Sequence, residues 1–416
     1  MERRNEVAGW VVAGVVLCGL AGCGNGGDSN LPLLSVAATS AGPRADEVDA
    51  AISLSAAYLE RQVEPDGQFV YWVHQDPDLE MPDKYNILRH AGTIYSLCMA
   101  YDLTGDGSLR EPVRRTVQYL RQQAIGSVDG HPEMLAVWSH PQADTLTESR
   151  SAKLGGTGLG LVALLSAEAV EPGLTPAEEL RSLGRFLLYL QKRDGSFYSK
   201  FDPALWGRDD SWNSLYYPGE AALGLVMLYQ YDGAAQWRDS AVAALGYLAR
   251  SRKDSSSVPA DHWALLATEQ LFLADEQLEP ATRELLADHA RQICRSMVAE
   301  QVNQPGSVVH GGFVTDGRTT PAATRLEGLL ATLAWLPADD SLRAELELAV
   351  AEGTGFLLRA QVPEGEYSGG IPRSISTSTE SSREAAVFNM RAEEIRIDYV
   401  QHALSAMIRY RRLMGR

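Results

Sequence analysis

Long apolar runs are scarce in this 416-residue chain: the stretch Val7 to Leu20 covers 14 residues. That is short of the roughly 20 residues that a permanent bilayer-spanning helix needs. Cysteine is scarcer still. Four residues, Cys18, Cys23, Cys98 and Cys294, can build neither a disulfide scaffold nor a four-cysteine metal site. No H-x-x-x-H, C-x-x-C or Ca²⁺-loop pattern occurs, so neither a metal nor any other cofactor is expected. Basic residues are outnumbered, 37 Lys and Arg against 54 Asp and Glu, and the net charge of −17 excludes nucleic acid as a partner. The 37 glycines and 19 prolines follow no repeat of a collagen-like or low-complexity kind. What remains, 45% hydrophobic and 22% charged, is the balance of a folded chain with one large domain or two average ones.

The N-terminus carries an address. Arg3 and Arg4 precede the short apolar run, and small residues follow it, which is the layout of a secretory signal. Leu20-Ala21-Gly22-Cys23 resembles the lipobox of bacterial lipoproteins. The resemblance implies cleavage before Cys23 and acylation of its thiol, with the membrane as a partner. Two or three acyl chains anchor stably where one is marginal. Residues 1–22 are then the signal, and 23–44, rich in Gly, Ser, Ala and Pro, a lipidated tether. The expected location is the cell envelope on the extracytoplasmic side. Gly24, where an Asp would signal inner-membrane retention, favours the outer membrane in a Gram-negative host. A plain secretory signal is the alternative. Cys98 and Cys294 sit in apolar helical patterns and are expected to be buried free thiols.

The body, 45–416, is built of repeats. AAYLERQVEPDGQF (56–69), GRFLLYLQKRDGSF (184–197) and GFLLRAQVPEGEY (355–367) share an aromatic-Leu pair, a Gln, an acidic-Gly turn and an aromatic. Amphipathic helices are predicted near 46–63, 109–125, 175–193, 235–251, 279–302 and 339–361. Each is followed by a helix that is apolar all round: 89–103, 155–167, 218–231, 260–273, 324–336 and 396–410. A helix without a polar face must be buried on every side. Six outer and six inner helices make an all-α fold, an (α/α)6 toroid, with an open solenoid as the alternative. Gly92, Gly158, Gly160, Gly224 and Gly328 would let the inner helices approach closely. The turn motif resembles the repeat of the terpenoid-cyclase and prenyltransferase toroids, and the hairpin count resembles the six-hairpin glycosidase superfamily.

Loop lengths point to a working end. Inner-to-outer connections are short (104–109, 171–174, 232–234), whereas outer-to-inner ones are long (64–85, 126–153, 194–216, 303–318, 362–392). Long structured loops in a compact domain are usually functional. These crowd the N-terminal ends of the inner helices, where positive helix-dipole ends suit a polyhydroxylated or anionic ligand. Ionisable groups also stand there against the apolar pattern. Glu220, Glu327, Asp398, His90 and His262 are the candidate catalytic residues, with Glu220 first because a Trp- and Tyr-rich loop precedes it. Asn86, Arg89, Trp212, Tyr216, Tyr217, Asp261, Trp263, Arg325, Arg396 and His402 are the candidate binding residues. Helical spacing predicts that Asn86 and His90 share a face, as do Asp398 and His402, and that Arg396 and Asp398 diverge. Asp261 can equally be a helix cap.

Aromatic faces beside carboxyl groups suit a sugar. Paired carboxyls across a glycosidic bond give hydrolysis; a His or Tyr base with an Arg gives a lyase or epimerase. The residues leave both open, together with a non-catalytic glycan- or peptide-binding protein. A terpenoid cyclase or prenyltransferase is less favoured, because D-x-D-D and D-D-x-x-D are both absent.

Overall fold

The computed structural model describes residues 42–139, 150–205, 207–212 and 214–415. The signal, the lipobox with Cys23, and Trp206 lie outside the described residues. Outer and inner helices alternate. Outer α1 (Ala45–Arg61) leads to inner α2 (Ile87–Thr104), α3 (Arg110–Gln123) to α4 (Leu154–Glu168), and α5 (Ala177–Leu190) to α6 (Tyr217–Asp232). Then α7 (Ala235–Arg252) leads to α8 (His262–Ala274), and α9 (Pro280–Ala299) to α10 (Thr319–Leu333). Outer α11 (Arg343–Ala360) is followed by a short α12 (Arg383–Met390) before the last inner helix, α13 (Ile397–Met414). No helix among the described residues is long and apolar enough to cross a membrane.

The burial patterns explain the two layers. In α4 every residue from Leu154 to Leu165 is buried, so the helix has no solvent face. In α3 only Pro112, Val113, Thr116, Val117 and Leu120 are buried, the stripe of a surface helix. Each inner helix packs on the next, and α13 returns to α2, closing the ring. Glycine makes the inner contacts close. A Cβ on Gly158 would stand 2.7 Å from the Ala221 nitrogen, and one on Gly328 would stand 2.8 Å from Leu265 Cδ1. Cys98 and Cys294 are buried and free.

The repeated turn motif has a physical job. Gly67, Gly195, Gly311 and Gly369 all have positive φ, and a Cβ on any of them would collide with a carbonyl of a neighbouring outer helix: Arg115, Ala243, Glu352 and Leu54 respectively. Only glycine is free of both the strain and the clash. The Gln at the helix end then crosses to the same neighbour: Gln191 Nε2 donates to the Ser240 carbonyl (2.9 Å), Gln301 to Ala349 (2.9 Å) and Gln361 to Ala51 (2.8 Å). In the third sequence copy the acidic-Gly residue, Gly365, has open space where a Cβ would stand, and Gly369 docks instead. That last clasp joins hairpin six to hairpin one, so the open solenoid is excluded.

Short strands, unforeseen in the sequence, organise the long loops. β1 (Trp72–His74), β2 (Ile125–Val128), β3 (His131–Val137), β4 (Ala152–Lys153), β5 (Lys200–Asp202), β6 (Gly207–Asp209) and β7 (Glu394–Arg396) pair as β1–β7, β2–β3 and β4–β5–β6, all antiparallel. Trp72 faces Arg396 across β1–β7, which ties the first loop to the last at the mouth.

Candidate active site

A cavity of about 380 Å³ opens among the N-terminal turns of the inner helices, and all six contribute to it. Arg89, Tyr216, Tyr217, Glu220, His262, Trp263, Arg325, Arg396, Asp398 and His402 line it, with Asn86 and Gln401. Glu327 lies directly beneath, fully buried, behind the two histidines.

The floor is built around Glu327. His402 Nδ1–H donates to Glu327 Oε2 at 2.8 Å, and His262 Nε2 stands 3.7 Å from the same oxygen, too long for a hydrogen bond. The two imidazoles meet edge to face with centroids 5.5 Å apart. Their environments push them in opposite directions. Burial, then the nearby His402 and Arg325, hold His262 well below the ordinary histidine value, so it is neutral. Burial would lower His402 too, but the charge and hydrogen bond of Glu327, aided by Asp398, outweigh it and hold His402 above that value. Both ring nitrogens of His262, Glu327 Oε1 and Glu220 Oε2 are buried without a partner. Buried polar atoms of this kind are costly unless a ligand or water meets them.

Glu220 enters from α6 under the start of α4. A Cβ on Gly155 would stand 2.0 Å from Glu220 Oε2, so glycine there makes the room. Burial and the charge of Asp261 raise the Glu220 carboxyl to about 8, leaving it mostly protonated near neutrality. Asp398 behaves oppositely. Burial would raise it, but Arg89 Nε at 3.0 Å and the Arg396 fork at 2.6 and 3.0 Å keep it below the usual carboxyl value. Arg89 also donates to the Tyr71 hydroxyl. Tyr216 lies edge-on to His262 at 5.0 Å, and Trp263 packs against both histidines.

Several expected residues stand elsewhere. His90 is not at the cavity. Its Nε2–H donates to the Thr116 carbonyl (2.9 Å), its Nδ1 accepts from Tyr85 (2.6 Å), and its ring sits among Phe69, Tyr85 and Tyr119. Fully satisfied and lowered to about 4 by burial, it is a structural link between α2 and α3. Asn86 does not share its face, because Asn86 is the extended N-cap of α2 and accepts from the Leu88 nitrogen. Asp261 caps α8 through the Ala264 nitrogen and pairs with Arg252 at 3.0 Å, outside the cavity. Trp212 is 55% exposed and packs on Tyr217 rather than lining the cavity. Arg396 and Asp398 converge instead of diverging, since Arg396 is in an extended strand, where helical angles do not apply. Arg325 lines the rim and pairs with Glu300. Thr320 and Thr324 also line the cavity. The sequence hid Thr320 because α10 begins at Thr319, one turn earlier than its apolar run, with Pro321 in the first turn.

His262, Glu327 and His402 each offer one ligand atom within 4.8 Å of the others, a spacing able to hold a cation. The sequence held no such pattern, because the three residues come from three helices.

No family model matches the sequence, and no curated protein matches it. Solved structures do. A sugar epimerase from a ruminal bacterium is similar with a TM-score of 0.63 at 10% identity, over 88% of this chain and 98% of that one. Cellobiose 2-epimerase from Bacillus thermoamylovorans gives 0.62 at 10% identity, over 87% and 98%. An α-1,6-mannanase from Salegentibacter sp. HEL1_6 gives 0.57 at 11%, over 88% and 98%. The fold is an α/α toroid. It is shared by hydrolases and epimerases alike, so the chemistry of this chain rests on its own residues.

Proposed function

We propose that this chain is a carbohydrate-active enzyme of the epimerase or isomerase kind, exchanging the proton at C2 of a reducing sugar. The observation that carries this is the histidine pair: two imidazoles in edge-to-face contact, one held well below and the other above the ordinary histidine value. Groups pushed apart in this way are the signature of an acid and a base sharing one reaction. In the proposed step neutral His262 takes the C2 proton of the open-chain aldose, and the electron pair forms the C1=C2 bond of an enediolate. Developing charge on O1 is met by the Arg89–Arg396 cations and by the protonated Glu220. Return of a proton to C2 from the His402 side, with O1 reverting to the carbonyl, gives the epimer; return to C1, with the O2 hydroxyl proton passing to O1, gives the ketose.

Hydrolysis is less well served. Asp398 is the ionised carboxylate that lines the cavity, but both its oxygens are bound by guanidinium groups, which leaves it a poor base. The Salegentibacter mannanase is inactive when an adjacent pair of aspartates is replaced. The adjacent pairs of this chain do not line the cavity. Asp209 and Asp210 pair with Lys200 and Lys192, and Asp340, beside Asp339, pairs with Arg291.

Incubation with cellobiose or mannose in D₂O should erase the C2–H proton resonance and produce the C2 epimer or ketose. Chain cleavage of α-1,6-mannan without such exchange would overturn the reading. Exchange should also survive a chelator; loss that added Zn²⁺ restores would reassign the histidine–glutamate trio to a metal.

We further propose that the enzyme is a lipoprotein held at the cell envelope through Cys23, a reading supported by the lipobox sequence alone. Cys23→Ser should abolish labelling by radioactive palmitate and leave the signal uncleaved. Wild-type protein that takes no label and fractionates as soluble would sink this reading.

A further inference from the structure

Beside the central cavity, and sharing Asn86, Arg89 and Arg396 with it, lies a second cleft of about 540 Å³, larger than the first. It runs between the β1 loop and the segment before α13. A cleft contiguous with the central cavity and larger than it gives the two together room for a substrate of more than one ring. One wall is aromatic: the Trp72 indole, fixed by its N–H to the Pro82 carbonyl at 2.9 Å, offers a face to the C–H side of a pyranose.

The charge of this cleft runs against that of the chain. Lys84, Arg89, Arg391 and Arg396 line it, in a protein of net charge −17. Their counterions are already engaged or remote. Asp398 is one carboxylate between two guanidiniums, Arg89 and Arg396. Glu394 is buried, gripped by Arg391 at 2.8 Å and by the Tyr399 hydroxyl at 2.6 Å. Glu80 is exposed at the rim, where solvent screens it. Lys84, exposed on the same loop, has no ion-pair partner among the described residues. Two guanidiniums that share one carboxylate, with the Lys84 ammonium and an indole lining the same cleft, match a carboxylate carried on a sugar ring.

We infer that this second cleft is a subsite for a hexuronic acid, and that the substrate is an acidic disaccharide or longer chain whose reducing sugar occupies the central cavity. The inference rests on the epimerase reading for the reaction, but its test does not. The probes are cellobiose and its analogue with glucuronic acid at the non-reducing end. Titration calorimetry at low salt should show the acidic disaccharide binding at least about tenfold more tightly, with the preference falling as salt rises. Lys84→Glu, at an exposed position, should lower the acid-to-neutral ratio of affinities by about tenfold. Taking the ratio cancels any loss of folded protein. Equal affinities, or a ratio unmoved by Lys84→Glu, would overturn the subsite. A clear acid preference in binding with no C2 exchange on either sugar would keep the subsite and remove the epimerase reading. Exchange on both sugars with equal kcat/KM and equal affinity would do the reverse.

Discussion

Replacing His402 with Asn is expected to lower the rate of C2 proton exchange by about 10²- to 10⁴-fold, the range that general acid–base groups contribute. The asparagine amide can stand where imidazole Nδ1 stood, so Glu327 keeps a donor and the melting temperature should move by only a few degrees. His262→Asn should act similarly, because the base is removed from a position where neither ring nitrogen holds any structural bond. The wild-type pH profile of kcat/KM should be a bell. The base must be neutral, and His262 titrates well below 6.5, which sets the acid limb. The acid must be protonated, and His402 titrates above 6.5, which sets the alkaline limb. Glu220, at about 8, adds to that same limb by losing its proton. Residual activity above about a tenth in either histidine variant would remove the pair from the chemistry.

The largest stability effect is expected at the other end of the ring. A cavity of about 310 Å³ there is lined by Tyr95, Glu269 and Arg409, from three inner helices. Arg409 donates to Glu269 at 2.7 Å, and both side chains are only 8% exposed. Burial opposes the charge on Arg409, but Glu269 and Tyr95 outweigh it and keep it ionised. Glu269→Leu would leave that charge alone in the interior, at a cost of about 3–5 kcal/mol. The double variant Glu269→Leu with Arg409→Met removes both charges and should recover most of the loss. Urea denaturation reads both. A single variant costing under about 1 kcal/mol would show that water in the cavity, not Glu269, carries the Arg409 charge.

The helices were legible in the sequence because burial on all sides leaves no room for ambiguity: a run such as Leu154 to Leu165 has no polar face to offer solvent. The strands were not, since pairs as short as Ala152–Lys153 carry no periodicity. At the mouth, the reading failed where the helix had not yet begun. Asn86 and Arg396 are extended cap residues, and helical spacing counted through them predicted the wrong neighbours for His90 and Asp398. His402 was expected only to bind. Its pairing with Glu327 joins residues 75 apart in sequence, and no local pattern announces such a partner.

The clasp between the last turn and the first helix also sets a timetable. Arg396, Asp398 and His402 all lie on the final strand and helix, and Gly369 and Gln361 lock that hairpin onto α1. The first five hairpins can pair their helices while the central cavity still lacks a wall. Until the C-terminal hairpin arrives, His262 faces no second imidazole and Arg89 no carboxylate. The cavity is therefore complete only once the last hairpin has closed the ring.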